Sequence, residues 1–152
     1  MPVIGLISDT HGLLRPEAAA ALGGCGRIIH AGDIGRPEIL ARLAEIAPVT
    51  AVRGNVDTGD WAAALPLTAT VEVDGIVMHV IHDLATLDRA GLDPRCRVVI
   101  SGHSHQPAIR EEDGLLLVNP GSAGPRRFRL PITLARLTVE ADRAQAALVA
   151  LS

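Results

Sequence analysis

Five times along this chain an apolar run ends in a short polar segment that carries metal-ligand side chains. The segments are Asp9-Thr10-His11, Gly32-Asp33, Gly54-Asn55-Val56-Asp57, His82-Asp83 and Gly102-His103-Ser104-His105. The intervals between Asp9, Asp33, Asn55, His82 and His103 are 24, 22, 27 and 21 residues, each about the length of one βα or ββ unit. Such spacing puts all five at or just past the C-terminal ends of strands. In open α/β sheets that edge is where ligands bind, because the loops leaving parallel strands converge there. Residues scattered in sequence are thereby gathered on one rim.

The intervening sequence supports this plan. Val3–Ser8 and Arg27–His30 are short apolar runs with the length and β-branched content of buried strands. Pro16–Leu22 is Ala-rich and helical, and Gly23-Gly24 stops it. Pro37 suits the first turn of a helix, where its missing N–H is not needed, and Ile39, Leu40, Leu43 and Ile46 follow at helical spacing until Pro48. Val49–Val52 is the third strand, and right-handed crossovers make the three parallel. Beyond Asn55 the pattern changes. Thr68–Val73 and Ile76–Ile81 flank Asp74-Gly75, and Pro107–Glu111 and Leu115–Val118 flank Asp113-Gly114, both hairpin signals. Arg97–Ser101 is a strand, Leu84–Ala90 a short helix, and Thr133–Val139 with Ala144–Leu151 a closing antiparallel pair around Glu140–Arg143. Residues 1–152 are therefore expected to form one α/β domain with two packed sheets.

One Phe, one Trp and no Tyr leave the core to Ala, Val, Leu and Ile. A net charge of −3 without a block of like charge gives no electrostatic footprint for nucleic acid or an anionic membrane. Scarce aromatics also argue against a base-stacking platform. Cys25 and Cys96 lack CxxC spacing and read as two reduced thiols. The first residues lack a basic n-region, and no apolar run approaches a membrane span, so a cytoplasmic location is expected.

Asp9, His11, Asp33, Asn55, His82, His103 and His105 make seven oxygen and imidazole donors, with no thiolate. That mixture suits a hard or borderline divalent ion such as Mn²⁺, Fe²⁺ or Zn²⁺. Seven are too many for one tetrahedral site with an open position, and about right for two metals sharing a bridging carboxylate.

In order and spacing, Asp9-x-His11, Gly32-Asp33, Gly54-Asn55-x-Asp57, His82, Gly102-His103-x-His105 and Asn119-Pro120-Gly121-Ser122 resemble the signature of calcineurin-like metallophosphoesterases. The similarity is greatest to the small, cap-less YfcE-like phosphodiesterases. The resemblance implies a two-sheet αββα sandwich with a parallel N-terminal half and a hairpin-rich C-terminal half. It also implies two divalent ions per chain, with Mn²⁺ expected and Fe, Zn, Ni or Co as alternatives. Asp9, His11 and His105 would bind the first ion, Asp33 would bridge, and Asn55, His82 and His103 would complete the second site. Asp33, Asn55 and His103 would act in catalysis through the metals. On each ligand His the second ring nitrogen should be held by a carboxylate or carbonyl. The spacing of His103 and His105 puts both on one side if that segment is extended, with Ser104 turned away.

The chemistry expected of such a site is phosphoester hydrolysis, most readily of a diester. Two ions roughly 3.5–4 Å apart lower the pKa of a bridging water, and its hydroxide attacks phosphorus in line. Ser101, Ser104 and Ser122 need no nucleophilic role, and no GxSxG elbow is present. The substrate would be a small phosphoester, with neither membrane nor nucleic acid as partner, and a homo-oligomer is left open. The alternatives are a non-catalytic scaffold on the same fold, as in the retromer subunit that resembles these enzymes, and a phosphomonoesterase or nuclease. Intact ligands weigh against the scaffold; the missing basic stripe weighs against the nuclease.

Two departures stand out. Many superfamily members carry a leaving-group-protonating His where this chain has Val56, a loss worth roughly 10²–10⁴-fold when general-acid catalysis is needed. Asp83 replaces the Gly that commonly follows the histidine. Asp57 is read either as a turn residue or as a carboxylate supporting the site, and is kept as a catalytic candidate. Arg126 and Arg127 are candidates to hold a substrate phosphate, whereas Arg129 is read as solvated. His30 and His79 are read as structural, with His30, three residues before Asp33, placed to support a ligand. Asn119-Pro120-Gly121 is read as a turn that buttresses the metal loop.

Overall fold

A computed structural model describes residues 2–151. Strands β1 (Val3–Ile7), β2 (Arg27–His30) and β3 (Val49–Ala51) alternate with helices α1 (Pro16–Ala21) and α2 (Pro37–Ala44), and a one-turn helix α3 (Asp60–Ala63) follows. Then come β4 (Thr68–Val73), β5 (Ile76–Ile81), β6 (Cys96–Ile100), β7 (Ala108–Glu112), β8 (Leu115–Asn119), β9 (Thr133–Glu140) and β10 (Arg143–Ala150). They form two five-stranded mixed sheets, ordered β10-β9-β1-β2-β3 and β4-β5-β6-β8-β7. Helices α1 and α2 begin with Pro at their first positions, as their sequence signals require.

The three N-terminal strands are parallel, as the crossover rule demands. The second sheet also has a parallel centre, β5-β6-β8, which its hairpins conceal in the sequence. Each expected hairpin closes on two left-handed residues, Asp74-Gly75 (φ 48°, 83°) and Asp113-Gly114 (φ 53°, 80°). The Ala141-Asp142 turn between β9 and β10 has the same form (φ 42°, 68°). That is the primed-turn geometry matching strand twist.

Aliphatic side chains of both sheets, among them Leu6, Ile29, Met78, Val80, Ile100 and Leu137, interleave in the central core. A second layer packs α1 and α2 on the other face of the first sheet through Ala18, Leu22, Ile39 and Leu43. The outer face of the second sheet differs from expectation. The helix expected over Leu84–Ala90 is two 3₁₀ turns, Leu84–Thr86 and Arg89–Gly91. Asp83 and Asp88 cap them through side-chain bonds to Ala85 and Ala90 N–H, restarting the chain within one helical turn. Leu84, Leu87 and Leu92 still cover Val77, Ile81, Val99 and Leu117.

This topology aims two sets of parallel C-terminal ends at one rim: β1, β2 and β3 from the first sheet, β5, β6 and β8 from the second.

Candidate metal centre

Backbone geometry marks the rim first. Asp9, His11, Asp33, His103 and His105 have φ values of 55°, 46°, 55°, 71° and 63°. A non-glycine residue in this left-handed region costs about 1–2 kcal/mol, and such strain gathers where function requires it. The segment of His103 and His105 is therefore coiled rather than extended, and the two rings serve different clusters.

The first cluster is Asp9, His11 and His105; the second is Asp33, His82 and His103. Within each, the donor atoms lie within 4.8 Å of one another. His11 Nε2 is 3.9 Å from Asp9 Oδ1 and 3.3 Å from His105 Nε2. Asn55 Oδ1 joins the second cluster, 3.0 Å from His82 Nε2 and 3.2 Å from His103 Nδ1. Between the clusters stands Asp33 Oδ2, 3.2 Å from His82 Nε2 and 3.8 Å from His11 Nε2. All seven donors singled out in the sequence thus converge.

The electrostatics fit cations. Asp9 is fully buried, its Oδ1 has no hydrogen-bond partner among the described residues, and burial raises its carboxyl to about 6. Among the described residues, Ser8 Oγ (2.8 Å) and the His103 N–H (3.1 Å) donate to Asp9, both to Oδ2. Burial also works to raise Asp33, but hydrogen bonds from His82 and the Val56 amide, with imidazole charge nearby, bring it down to about 2. Burial, then the charges of Arg127 and His11, hold His105 down at about 4. A buried carboxylate oxygen with no donor, facing two imidazoles, is the environment a divalent ion completes.

Local sequence explains how the loops come so close. A Cβ on Gly102 would stand 2.7 Å from Asp9 Oδ2, and one on Gly54 would collide with the Asp33 amide. Asp57 is 5% exposed, and its carboxylate accepts both the Gly35 N–H (2.9 Å) and the Gly54 N–H (2.8 Å). It ties the Asp33 and Asn55 loops together with both oxygens engaged. Asn119, at the end of β8, donates to Gly102 O (3.0 Å) and Ser104 Oγ (3.1 Å), which is the buttress expected of that turn. His30 is fully buried, accepts the Gly32 N–H at Nδ1 (3.1 Å) and meets Thr10 Oγ1 at Nε2 (3.0 Å). Burial pushes its pKa down to about 3, so it supports the Gly32-Asp33 loop as a neutral ring. His79 is half-buried on β5 and takes no part in either cluster.

The expectation about second nitrogens holds at His82, whose Nδ1 meets Ala31 O at 2.7 Å. It fails at His105, whose buried Nδ1 has no partner among the described residues. At His103, whose Nδ1 faces Asn55, the partner of Nε2 among the described residues is the distant Asp83 Oδ2 at 3.9 Å. Ser8, Thr10 and Ser122 were not anticipated as supports. Ser122 Oγ donates to Asp9 O (3.0 Å) and Thr10 Oγ1 to Ile34 O (2.8 Å). Their adjacency to Asp9 and the Asn119 turn was the available signal. Arg126, Arg127 and Arg129 lie on an exposed loop. Both cysteines are buried and free, outside either cluster.

Residues 3–142 match the family described as the calcineurin-like phosphoesterase superfamily domain. The chain belongs to that superfamily. A curated relative from Methanothermobacter thermautotrophicus, named a probable metallophosphoesterase, is 35% identical, the match covering 97% of this chain and 91% of the relative. An archaeal phosphodiesterase of known structure shares the fold at a TM-score of 0.78 and 24% identity, covering 97% of this chain and 99% of that one. Chaetomium thermophilum Vps29 also matches at 0.78, with 17% identity and coverage of 98% and 97%. Such near-complete mutual coverage places the chain in the small, cap-less branch.

Proposed function

We propose that this superfamily member is a dinuclear-metal phosphodiesterase acting on a small phosphoester. The observation that carries the reading is the position of Asp33, whose Oδ2 lies between the first cluster's His11 and the second cluster's His82. Asp9, His11 and His105 would hold one ion, and Asn55, His82 and His103 the other. When bound, the ions supply Lewis-acid chemistry, acidifying a water for in-line attack and neutralising charge on phosphoryl oxygens.

The chain's own groups do the rest. Asp33 Oδ1 accepts the Val56 N–H at 3.0 Å, which fixes its other oxygen toward both clusters. Asp57 clamps the loops that carry Asp33 and Asn55 rather than facing substrate. Arg127 lies near enough to His105 for its positive charge to act there, and that charge would also favour an anionic substrate. Val56, 44% exposed beside Asp33, has no proton to give. The name of the archaeal structural neighbour favours diesters over monoesters.

Metal content of the purified protein, combined with turnover of matched phosphomonoesters and phosphodiesters, tests the reading. Two ions per chain and preferential diester hydrolysis are expected. The likeness to Vps29 motivates a scaffold reading, which two bound ions with no turnover of any ester would favour.

A further inference from the structure

A cleft of about 490 Å³ opens directly on the second cluster. Asn55, His82 and His103 form its inner end, and Arg53, Leu67, Ile81, Asp83 and Thr86 are among its other walls. Its size lies within the range of small-ligand sites, and its walls are mainly apolar. The backbone sets this shape. Arg53 N–H donates to Pro66 O at 2.8 Å, which brings Leu67 back beside the Asn55 loop. Leu67 is 61% exposed, whereas Ile81 is 7% exposed on the strand leading to His82. No strand or helix of the described residues covers Leu67.

Resting on the phosphodiesterase reading, we infer that this cleft is the subsite for an apolar substituent of the substrate, and that Leu67 determines specificity there. Continuity with Asn55, His82 and His103 is the main argument, because a phosphoryl group at the second cluster would have one ester arm within reach of the cleft. An aryl or branched alkyl arm would remove Leu67 and the end of Ile81 from water. A methyl arm would leave them wet. The Arg53 guanidinium makes no ion pair or hydrogen bond among the described residues, so it remains available at the edge to an arm bearing negative charge.

The test is direct binding to the Mn²⁺-loaded protein by calorimetry, with probes that cannot be hydrolysed. Diphenylphosphinate and dimethylphosphinate present the two oxygens of a diester on phosphorus–carbon bonds, and inorganic phosphate serves as reference. Diphenylphosphinate should bind at least about tenfold more tightly than dimethylphosphinate, the effect expected from burying part of one aryl ring. Leu67→Asp should bring the ratio close to one, its added charge weakening all three anions alike, and Leu67→Ala should fall between. Leu67 is exposed enough for either variant to fold normally. Leu148→Asp, at another exposed leucine (42%) on β10, should leave the ratio as it was. Equal affinities in the parent, or a ratio that Leu67→Asp does not alter, would overturn the subsite and leave the phosphoesterase reading standing. If none of the three anions binds, both fall together.

Discussion

Asp33 Oδ2 and His82 Nε2 stand 3.2 Å apart across the seam between the two sheets. One residue follows β2 and the other follows β5, so this contact joins the two parallel edges at one point. Because the Asp33 carboxylate also faces His11, it is the donor best placed to serve both clusters.

Asp33→Asn is therefore expected to be the most damaging single ligand change. It should reduce turnover of a chromogenic diester more than Asn55→Ala, since Asn55 contacts only the second cluster. Both variants should be compared at saturating Mn²⁺, with metal content measured alongside. A greater loss in Asn55→Ala would assign the bridging position wrongly.

Asp9 gives a pH dependence. Burial raises its carboxyl to about 6, and a metal binds only the deprotonated form. Affinity for the ion held at Asp9 should fall by about tenfold per unit as pH drops below 6, because one proton on Asp9 then competes with it. His105, held near 4, does not add to the slope until lower pH. In metal-free protein the ionised Asp9 weakens the fold above pH 6, and that penalty is relieved as pH falls toward 3.8. The rise in Tm on adding Mn²⁺ should consequently be larger at pH 7.5 than at pH 5. Equal rises at the two values would remove Asp9 from the metal site.

Asp83 is expected to steady the exposed His103. Its Oδ1 is fixed by the Ala85 N–H, and its Oδ2 stands 3.9 Å from His103 Nε2. Outer partners of metal-binding histidines are worth roughly 10–100-fold in affinity, and this half-exposed, distant pair belongs at the low end, about tenfold. Asp83→Gly should weaken one of the two equivalents of Mn²⁺ in calorimetry and spare the other. Weakening of both, or of neither, would rule out the pairing.

The strand plan and the gathering of the seven candidate donors on one rim were legible in the sequence because each depends on local signals. Apolar runs end at Asp9, Asp33, Asn55, His82 and His103, and Asp-Gly pairs close two hairpins. What could not be read depends on contacts distant in sequence. The parallel pairing of β5, β6 and β8 sits behind an antiparallel hairpin, and nothing near Asp57 reveals that its carboxylate meets the Gly35 amide. The coiled backbone at His103 and His105 was also hidden, since left-handed histidines are stabilised by the finished rim rather than by propensity. The Leu84–Ala90 spacing looks helical, yet side-chain caps at Asp83 and Asp88 divide it.

Val56 sets the last expectation. Its side chain is exposed at the rim, its N–H is committed to Asp33 Oδ1, and neither group can protonate a departing alkoxide. Asp57, the adjacent carboxylate, is buried with both oxygens accepting backbone N–H groups, so it is committed to holding the loops together. With no acid offered at Val56 or Asp57, the rate should depend steeply on leaving-group pKa, and nitrophenyl diesters should be hydrolysed far faster than alkyl ones. Val56→His should flatten that dependence, raising poor leaving groups by up to roughly 10²-fold while changing nitrophenyl turnover little. The measurement is a series of diesters differing only in leaving group, compared in parent and variant. A flat series in the parent would mean that another group already delivers the proton, and Val56 would then have no part in the enzyme's preference.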